Sequence, residues 1–438
     1  MTTAPQAAET AEVTEIDTTA RWPLLLLLGF ALVWLVVSGL LSLVNLVQVH
    51  TPGFLADCPL FTYGRTQAMQ ESALIYGWAV NAGLAAGLWI LARLGGSPLR
   101  SLNWTVAGAL FWNLALALGL VGIATGDGLV HAWFHLPGYV LPIMLLAYGA
   151  IAVPGVLAWT GRRHQMTFAA QWYAVAALFL FPWIFSAAQM MLVFAPARGV
   201  LQAVIANWFM QGAWTFLLAP LALASAYYLV PKISGRVIPS YEFAIHSFWI
   251  LLVFGGWTGA RHLVGGPVPV WIPSLAVVTS VVLLFHYLVV ALNLRGAFGG
   301  SGVVLKFIAF GLSAYVVGGL VDAATAMRSV AVITQFTFFS VAQVHLALDG
   351  ALSMMLLAAV YFMVPRITGR AWPSGAMVRA HLVAAAIGFV GLVVTLAVAG
   401  LIQGHDLANP AVSFADIAAH VRPWLLAATA AQAVWLFG

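Results

Sequence analysis

Nearly uncharged apolar stretches recur twelve times along this chain, each long enough to cross a bilayer, and no other property restricts the fold so tightly. A membrane-crossing helix takes roughly 20 mostly apolar residues at a rise of about 1.5 Å each. Such stretches lie at 22–49, 72–92, 103–126, 136–160, 166–196 and 200–231, then at 241–264, 270–294, 303–327, 333–365, 378–403 and 421–438. Lipid offers no water to backbone N–H and C=O groups, so each stretch must satisfy its own as a helix. Only 7% of the 438 residues are Asp, Glu, Lys or Arg, and 63% are hydrophobic. A soluble domain carries about 25% charged residues. So sparse a set cannot cover a water-facing surface, which excludes a soluble enzyme, a disordered chain and a nucleic-acid binder together. The expectation is an all-α integral membrane protein of about twelve transmembrane helices, residues 21–438 forming one membrane domain in contact with lipid.

The first twenty residues carry Glu9, Glu12, Glu15 and Asp17 and no Lys or Arg. They read as a solvated acidic cytoplasmic tail. A secretory signal would need a basic start, so the first span is expected to stay in the membrane. Basic residues then alternate from loop to loop. Loops after even-numbered spans hold eleven: Arg93, Arg100, Arg162, Arg163, Lys232, Arg236, Arg295, Lys306, Arg366, Arg370 and Arg379. Loops after odd-numbered spans hold five: Arg65, Arg198, Arg261, Arg328 and Arg422. The positive-inside rule therefore puts the even loops and both termini in the cytoplasm. The net charge of +5 is a topology signal and needs no acidic partner. Cys58 is the one cysteine, which rules out an internal disulfide, a thiolate metal cluster and a Cys-x-x-Cys-His heme attachment.

One internal repeat stands out. Residues 226–240 (AYYLVPKISGRVIPS) and 360–374 (VYFMVPRITGRAWPS) agree at eight of fifteen positions, 134 residues apart. Each copy closes a span with aromatics, Val-Pro, a basic residue and a Gly-Arg turn. Either this is what any cytoplasmic helix end looks like, or spans six and ten are equivalent elements. In the second case Gln211 and His345 correspond, each 20 residues before its proline and so about 30 Å along the helix.

Ionisable groups at membrane depth are costly and face the bundle interior. Here they are His246, His262, His286, Asp322, His345 and Asp349, with Glu71 and Arg261 near span ends. His345 and Asp349 share a helix face at i,i+4. His246 and His286 lack companions at ligand spacing and are expected to be ordinary hydrogen-bonded residues. His131 and His135 in HAWFH have the i,i+4 spacing of a metal pair but no third ligand, and are expected on a surface helix. No phosphate loop, dinucleotide fingerprint or nucleophile elbow occurs, so any chemistry here would belong to a bound cofactor.

Four stretches carry a family likeness: NWFMQGAWTF (207–216), AYYLVPKISGR (226–236), SFWILLVFGGWTGARHL (247–263) and QVHLALDGALSMMLLAAVYFMVPR (343–366). ALIYGWAVNA (73–82) and SFADIAAHVRPW (413–424) match more loosely. With them the chain resembles the catalytic subunit of the heme–copper oxidases, in particular subunit I of the cbb-type (C-family) cytochrome c oxidases, which implies a bundle of twelve spans. The resemblance implies a copper-binding histidine on span six, where Gln211 stands. It implies two adjacent histidines at the end of span seven, where the pair reads Arg261-His262, and a tyrosine before them, where Gly255 stands. On span ten it implies His-x-His for the high-spin and low-spin hemes, and this chain has Gln343-Val344-His345. The remaining low-spin ligand falls at Gln70, with Met69 beside it.

These replacements weigh heavily. Copper needs nitrogen donors, a guanidinium keeps its proton and cannot ligate, and an amide is a poor axial ligand for heme iron. The resemblance then implies cofactor-binding positions at His345, Gln343 and Gln70 and metal positions at His262 and Gln211. At most one b-type heme is expected, and copper is not. The reading is a subunit I homologue of a respiratory or electron-transfer complex whose copper and high-spin heme site has degenerated, leaving an electron-transfer or scaffold subunit. Two alternatives stand beside it. One is an active oxidase-like or nitric-oxide-handling oxidoreductase with altered ligation. The other is proton or solute conduction past Asp322 and Asp349 without redox chemistry. The family implies a membrane-anchored c-type cytochrome or other oxidase-like subunit as partner, in a bacterial-type inner membrane.

Overall fold

A computed structural model describes the backbone of residues 4–438 and the side chains of residues 11–438. Helix dominates it, as the apolar stretches require. Eleven helices among the described residues are long and apolar enough to cross a membrane. They are α1 (Ala11–His50), α2 (Tyr63–Gly95), α3 (Leu102–Thr125), α4 (Leu141–Thr160), α5 (Ala169–Phe194), α6 (Val200–Ser234), α7 (Tyr241–Leu263), α8 (Trp271–Gly299), α9 (Val303–Ala326), α10 (Phe338–Thr368) and α11 (Gly375–Leu407). The twelfth expected span is α12 (Phe414–Phe437), long enough at 24 residues but charged at its start by Asp416 and Arg422. It lies against α11, where the backbone of Trp435 comes so close to Gly388 that a Cβ has no room. Glycine supplies this close backbone approach in membrane bundles.

Burial sorts the helices into a centre and a rim. The most apolar windows of α2 and α6 are 100% buried and that of α10 is 83% buried, while every other window is 56% buried or less. The rim turns large apolar residues such as Phe111, Leu114, Val121 and Trp249 outward, as lipid contact favours. The central three share one irregularity, which the rim helix α5 also shows at its last turn, Met190–Phe194. Each contains a π-helical turn, at Ala73–Ala79 in α2, Trp214–Leu218 in α6 and Leu346–Ser353 in α10. An inserted residue of this kind rephases the faces before and after it.

The repeat seen in sequence is therefore structural, and α2 is a third member. α6 and α10 end on left-handed glycines, Gly235 (φ 67°) and Gly369 (φ 68°), and α2 ends on Gly96 (φ 61°). Only glycine adopts this conformation without strain. After the turn, Ser240 and Ser374 cap the next helix in the same way, their hydroxyls accepting from the Phe243 and Met377 amides.

The acidic start departs from a solvated tail. α1 is already helical there, and Asp17 is 7% exposed. The Trp89 indole N–H donates to Asp17 at 2.9 Å, and the Arg93 guanidinium lies 3.6 Å away. Glu12 pairs with His164 at 3.2 Å and Arg163 at 3.7 Å. The basic loops at that end of the bundle hold these acids down. Glu9 lies outside the described side chains.

Candidate functional site

Between α6, α7, α8, α9 and α10 lies a cavity of about 300 Å³. Three of the residues singled out by sequence line it together: Gln211 from α6, His262 from the end of α7, and Gln343 from the start of α10. Arg261 and Asp322 complete the polar end, and Trp133, Trp214, Tyr287 and Tyr315 form aromatic walls. The last turns of α7 tighten from α-helix into a 3-10 helix at Gly255–Leu263. That segment presses onto α6. A Cβ on Gly255 would meet Thr215 Cγ2 at 2.6 Å, and one on Gly259 would meet Gln211 Cβ at 2.8 Å. No side chain fits at position 255, least of all a tyrosine.

Arg261 does not point idly into this space. Its guanidinium donates to the Asp322 carboxylate at 3.0 Å, the two side chains being 10% and 29% exposed. Gln343 donates through its amide nitrogen to the same carboxylate at 3.2 Å and to the Thr325 hydroxyl at 3.0 Å. Sequence reasoning named Arg261 and Gln343 but missed that Asp322 joins them. The signal was there, because an arginine at membrane depth demands an acid and Asp349 already had His345 within one turn. The arrangement does not fit a copper ion. A cation would sit beside a guanidinium that has no lone pair, and the described residues contain no group of three His, Cys, Asp or Glu side chains able to hold a metal. Nor does it favour an axial bond to heme iron from Gln343, whose amide is tied through its nitrogen to Asp322 and Thr325 and whose carbonyl oxygen is a poor donor to heme iron beside an imidazole.

His345 belongs elsewhere. Its Nδ1 is 2.6 Å from Asp349 Oδ2, both residues being buried. This bond leaves Nε2 as the nitrogen with a free lone pair. Asp349 and Gln70 line a second cavity between α1, α2, α10 and α12, of about 100 Å³. Gln211 and His345, the pair the repeat aligns, part company here. They correspond in register, but Gln211 opens on the first cavity and His345 meets the second only through Asp349. By the same token Asp322 and Asp349 line different cavities. The second is smaller than the roughly 300–1,000 Å³ that organic ligands occupy. As folded, the imidazole that lines it is that of His381, from α11, and the cleft is too narrow for a macrocycle.

The remaining histidines serve local structure. His286 is buried and satisfied, between Ser247 and Tyr315 at 2.8 Å each. His246 bonds within its own helix, 2.7 Å from the Glu242 carbonyl. The HAWFH segment is not a surface helix. It is a tight turn closed by a bridge between His131 and Phe134, with Trp133 at φ 61°. Tyr76 donates its hydroxyl to the Trp133 carbonyl, and His135 Nε2 lies 2.9 Å from Glu71 of α2. These contacts hold the Trp133 ring over the first cavity. Burial alone would lower the His135 pKa, but the Glu71 carboxylate and the Leu129 carbonyl outweigh it, and the net shift is upward.

A pH effect follows from that turn. A histidine whose folded pKa lies above its unfolded value near 6.5 stabilises fully below that value, and the gain is lost as pH rises through the folded pKa. Wild-type protein should thus lose stability relative to Glu71→Gln as pH climbs above 6.5. Chemical unfolding in detergent at stepped pH reads this difference. Parallel pH curves for the two proteins would dismiss the charged His135–Glu71 pair.

The sequence model of a family described as cytochrome C and quinol oxidase polypeptide I matches residues 23–434. The cbb3-type cytochrome c oxidase subunit CcoN1 of Stutzerimonas stutzeri is 26% identical over 390 residues, covering 85% of this chain and 81% of that protein. Cytochrome c oxidase subunit 1 of Rhodobacter capsulatus is 24% identical over 397 residues, covering 85% and 73% respectively. A heme–copper terminal oxidase dimer solved by cryo-electron microscopy superposes with a TM-score of 0.76 at 12% identity, over 97% of this chain and 81% of that one. At such identity the structural likeness is one of fold.

Proposed function

Because the chain belongs to the cytochrome c and quinol oxidase polypeptide I family, we propose that it is a subunit I homologue that no longer reduces dioxygen and serves a membrane electron-transfer complex as a scaffold or electron-transfer subunit. The observation that carries this reading is the Arg261–Asp322 pair at 3.0 Å, with Gln343 on the same carboxylate. A fixed positive charge stands where the resemblance puts a copper ligand, and its counter-charge comes from the protein. His262 is the one imidazole left of the copper set, and Gln211 brings an amide in place of another. In this reading His345 is the residue that would hold a b-type heme if one is bound, and the chain carries at most one. The expected setting is a bacterial-type inner membrane with both termini cytoplasmic, beside a membrane-anchored c-type cytochrome or similar subunit.

The test is metal and heme content of the purified full-length protein, read by elemental analysis and a reduced-minus-oxidised visible spectrum. Expected are no copper, no heme that binds carbon monoxide, and either no heme or one low-spin heme that disappears in His345→Ala. Stoichiometric copper, or a second heme reacting with carbon monoxide, would overturn the proposal and restore the oxidase.

A further inference from the structure

The second cleft holds an unbalanced charge. Of the side chains that line it, from α1, α2, α10, α11 and α12, Asp349 is the one Asp, Glu, Lys or Arg. It is 4% exposed and sits in the π-helical turn Leu346–Ser353, a local geometry that recurs at functional sites. Its one hydrogen-bonding partner among the described residues is His345, whose Nδ1 lies 2.6 Å from Oδ2. With a lone pair on Nε2 that imidazole is neutral, so the carboxylate keeps its negative charge at membrane depth. Such a charge is costly unless an opposite charge or a metal ion meets it.

Oxygens without partners stand around it. Gln432 of α12 is 1% exposed, and its side-chain oxygen is buried with no hydrogen bond. The Ser42 hydroxyl, on a residue 5% exposed, and the Gln70 amide also line the cleft with no partner among the described residues. Two hydrogen bonds between helices fix their heights. Thr66 bonds to Gln48 and Trp78 to Ser353, each at 2.9 Å. Gln70 and Ser42 follow and precede the first pair toward the same end of the bundle, and stand within about 3 Å of one level at 1.5 Å per residue. Counted from the second pair, Asp349 lies about one turn from Gln70. His381 is engaged by the Tyr361 hydroxyl at 2.6 Å and stands outside the set.

The chemistry narrows the ligand. Carboxylate, amide and hydroxyl oxygens suit hard cations. A monovalent ion neutralises one carboxylate, whereas a divalent ion would leave a buried charge of the other sign. About 100 Å³ holds a small ion with a few waters and excludes an organic cation. We infer that this cleft binds a sodium ion, held by Asp349 together with Gln70, Gln432 and Ser42. The inference rests on the branch of the proposed function in which no heme enters the cleft.

The experiment is equilibrium dialysis of the purified full-length protein against radioactive sodium chloride, with choline chloride holding ionic strength constant and heme content measured on the same sample. Saturable binding of one ion per chain is expected. Sodium should also raise the thermal unfolding midpoint above that in choline, because an ion bound only by the folded state stabilises it. Asp349→Asn should abolish both effects. Gln432→Leu keeps the bulk, removes the oxygen and should weaken binding about tenfold. If Asp349→Asn fails to fold, Gln432→Leu and the wild type still decide. Absence of saturable sodium binding in heme-free wild type would overturn this inference, assign the oxygens to ordered water and leave the proposed function standing. Equal midpoints in sodium and choline, or wild-type binding in both variants, would overturn it as well. A low-spin heme lost in His345→Ala would overturn it while supporting the proposed function. Copper with a low-spin heme and a second heme that takes up carbon monoxide would overturn both.

Discussion

Arg261→Met is expected to destabilise the protein by about 2–3 kcal/mol, read by chemical unfolding in detergent micelles. The guanidinium is 10% exposed and donates to Asp322 at 3.0 Å. Removing it leaves a carboxylate at membrane depth with only the Gln343 amide for company. Breaking a buried pair costs about 3–5 kcal/mol, and the lower figure here reflects an Asp322 side chain that is 29% exposed and keeps one hydrogen bond. The double variant Arg261→Met with Asp322→Leu should recover more than half of the loss, since two apolar groups of similar bulk need no partner. A single variant as stable as wild type would show that the pair is solvated and contributes nothing. If Arg261→Met fails to fold, Asp322→Asn and the double variant still give the sign of the coupling.

Introducing imidazoles at positions 211 and 261 should create a metal site. Gln211→His together with Arg261→His would place three histidines, with the existing His262, on one cavity wall where Gln211 and residues 261–262 already meet. The close approach of Gly259 to Gln211 Cβ keeps α6 and α7 at short range. Imidazole suits copper, and the repelling guanidinium would be gone, so about one copper ion per chain is expected, against none expected in the wild type. Arg261→His alone should bind far less, because two nitrogens and an amide make an incomplete set. Elemental analysis after copper loading and desalting reads the result. No copper in the double variant would mean that the two helices no longer hold these positions at ligand distance.

Parts of this picture were written in the chain and parts were not. Runs such as 24–37 in α1 and 382–394 in α11 could only be helices in lipid, because unbroken apolar sequence leaves the backbone no other partner. The equivalence of α6 and α10 was readable from the Val-Pro and Gly-Arg positions, and the left-handed Gly235 and Gly369 give its physical basis. That α2 belongs to the same series was not readable, since its end, Leu-Gly-Gly-Ser, shares only the terminal glycine. The acidic start misled because charge was taken as a mark of solvation. Asp17 is instead matched to Trp89 and Arg93, 72 and 76 residues further on, a partnership no local pattern encodes.

The sequence alone determined the membrane class, most of the spans and which residues stand at positions 211, 255, 261 and 343, because lipid acts on every residue in turn and residue identity decides whether a metal can be held. Only the tertiary structure decided what those side chains meet. Arg261 finds Asp322 across two helices, Gln343 joins them, and corresponding residues of α6 and α10 meet different cavities. Such choices depend on how helix faces are phased against one another, and that phase is settled by packing between segments far apart in the chain.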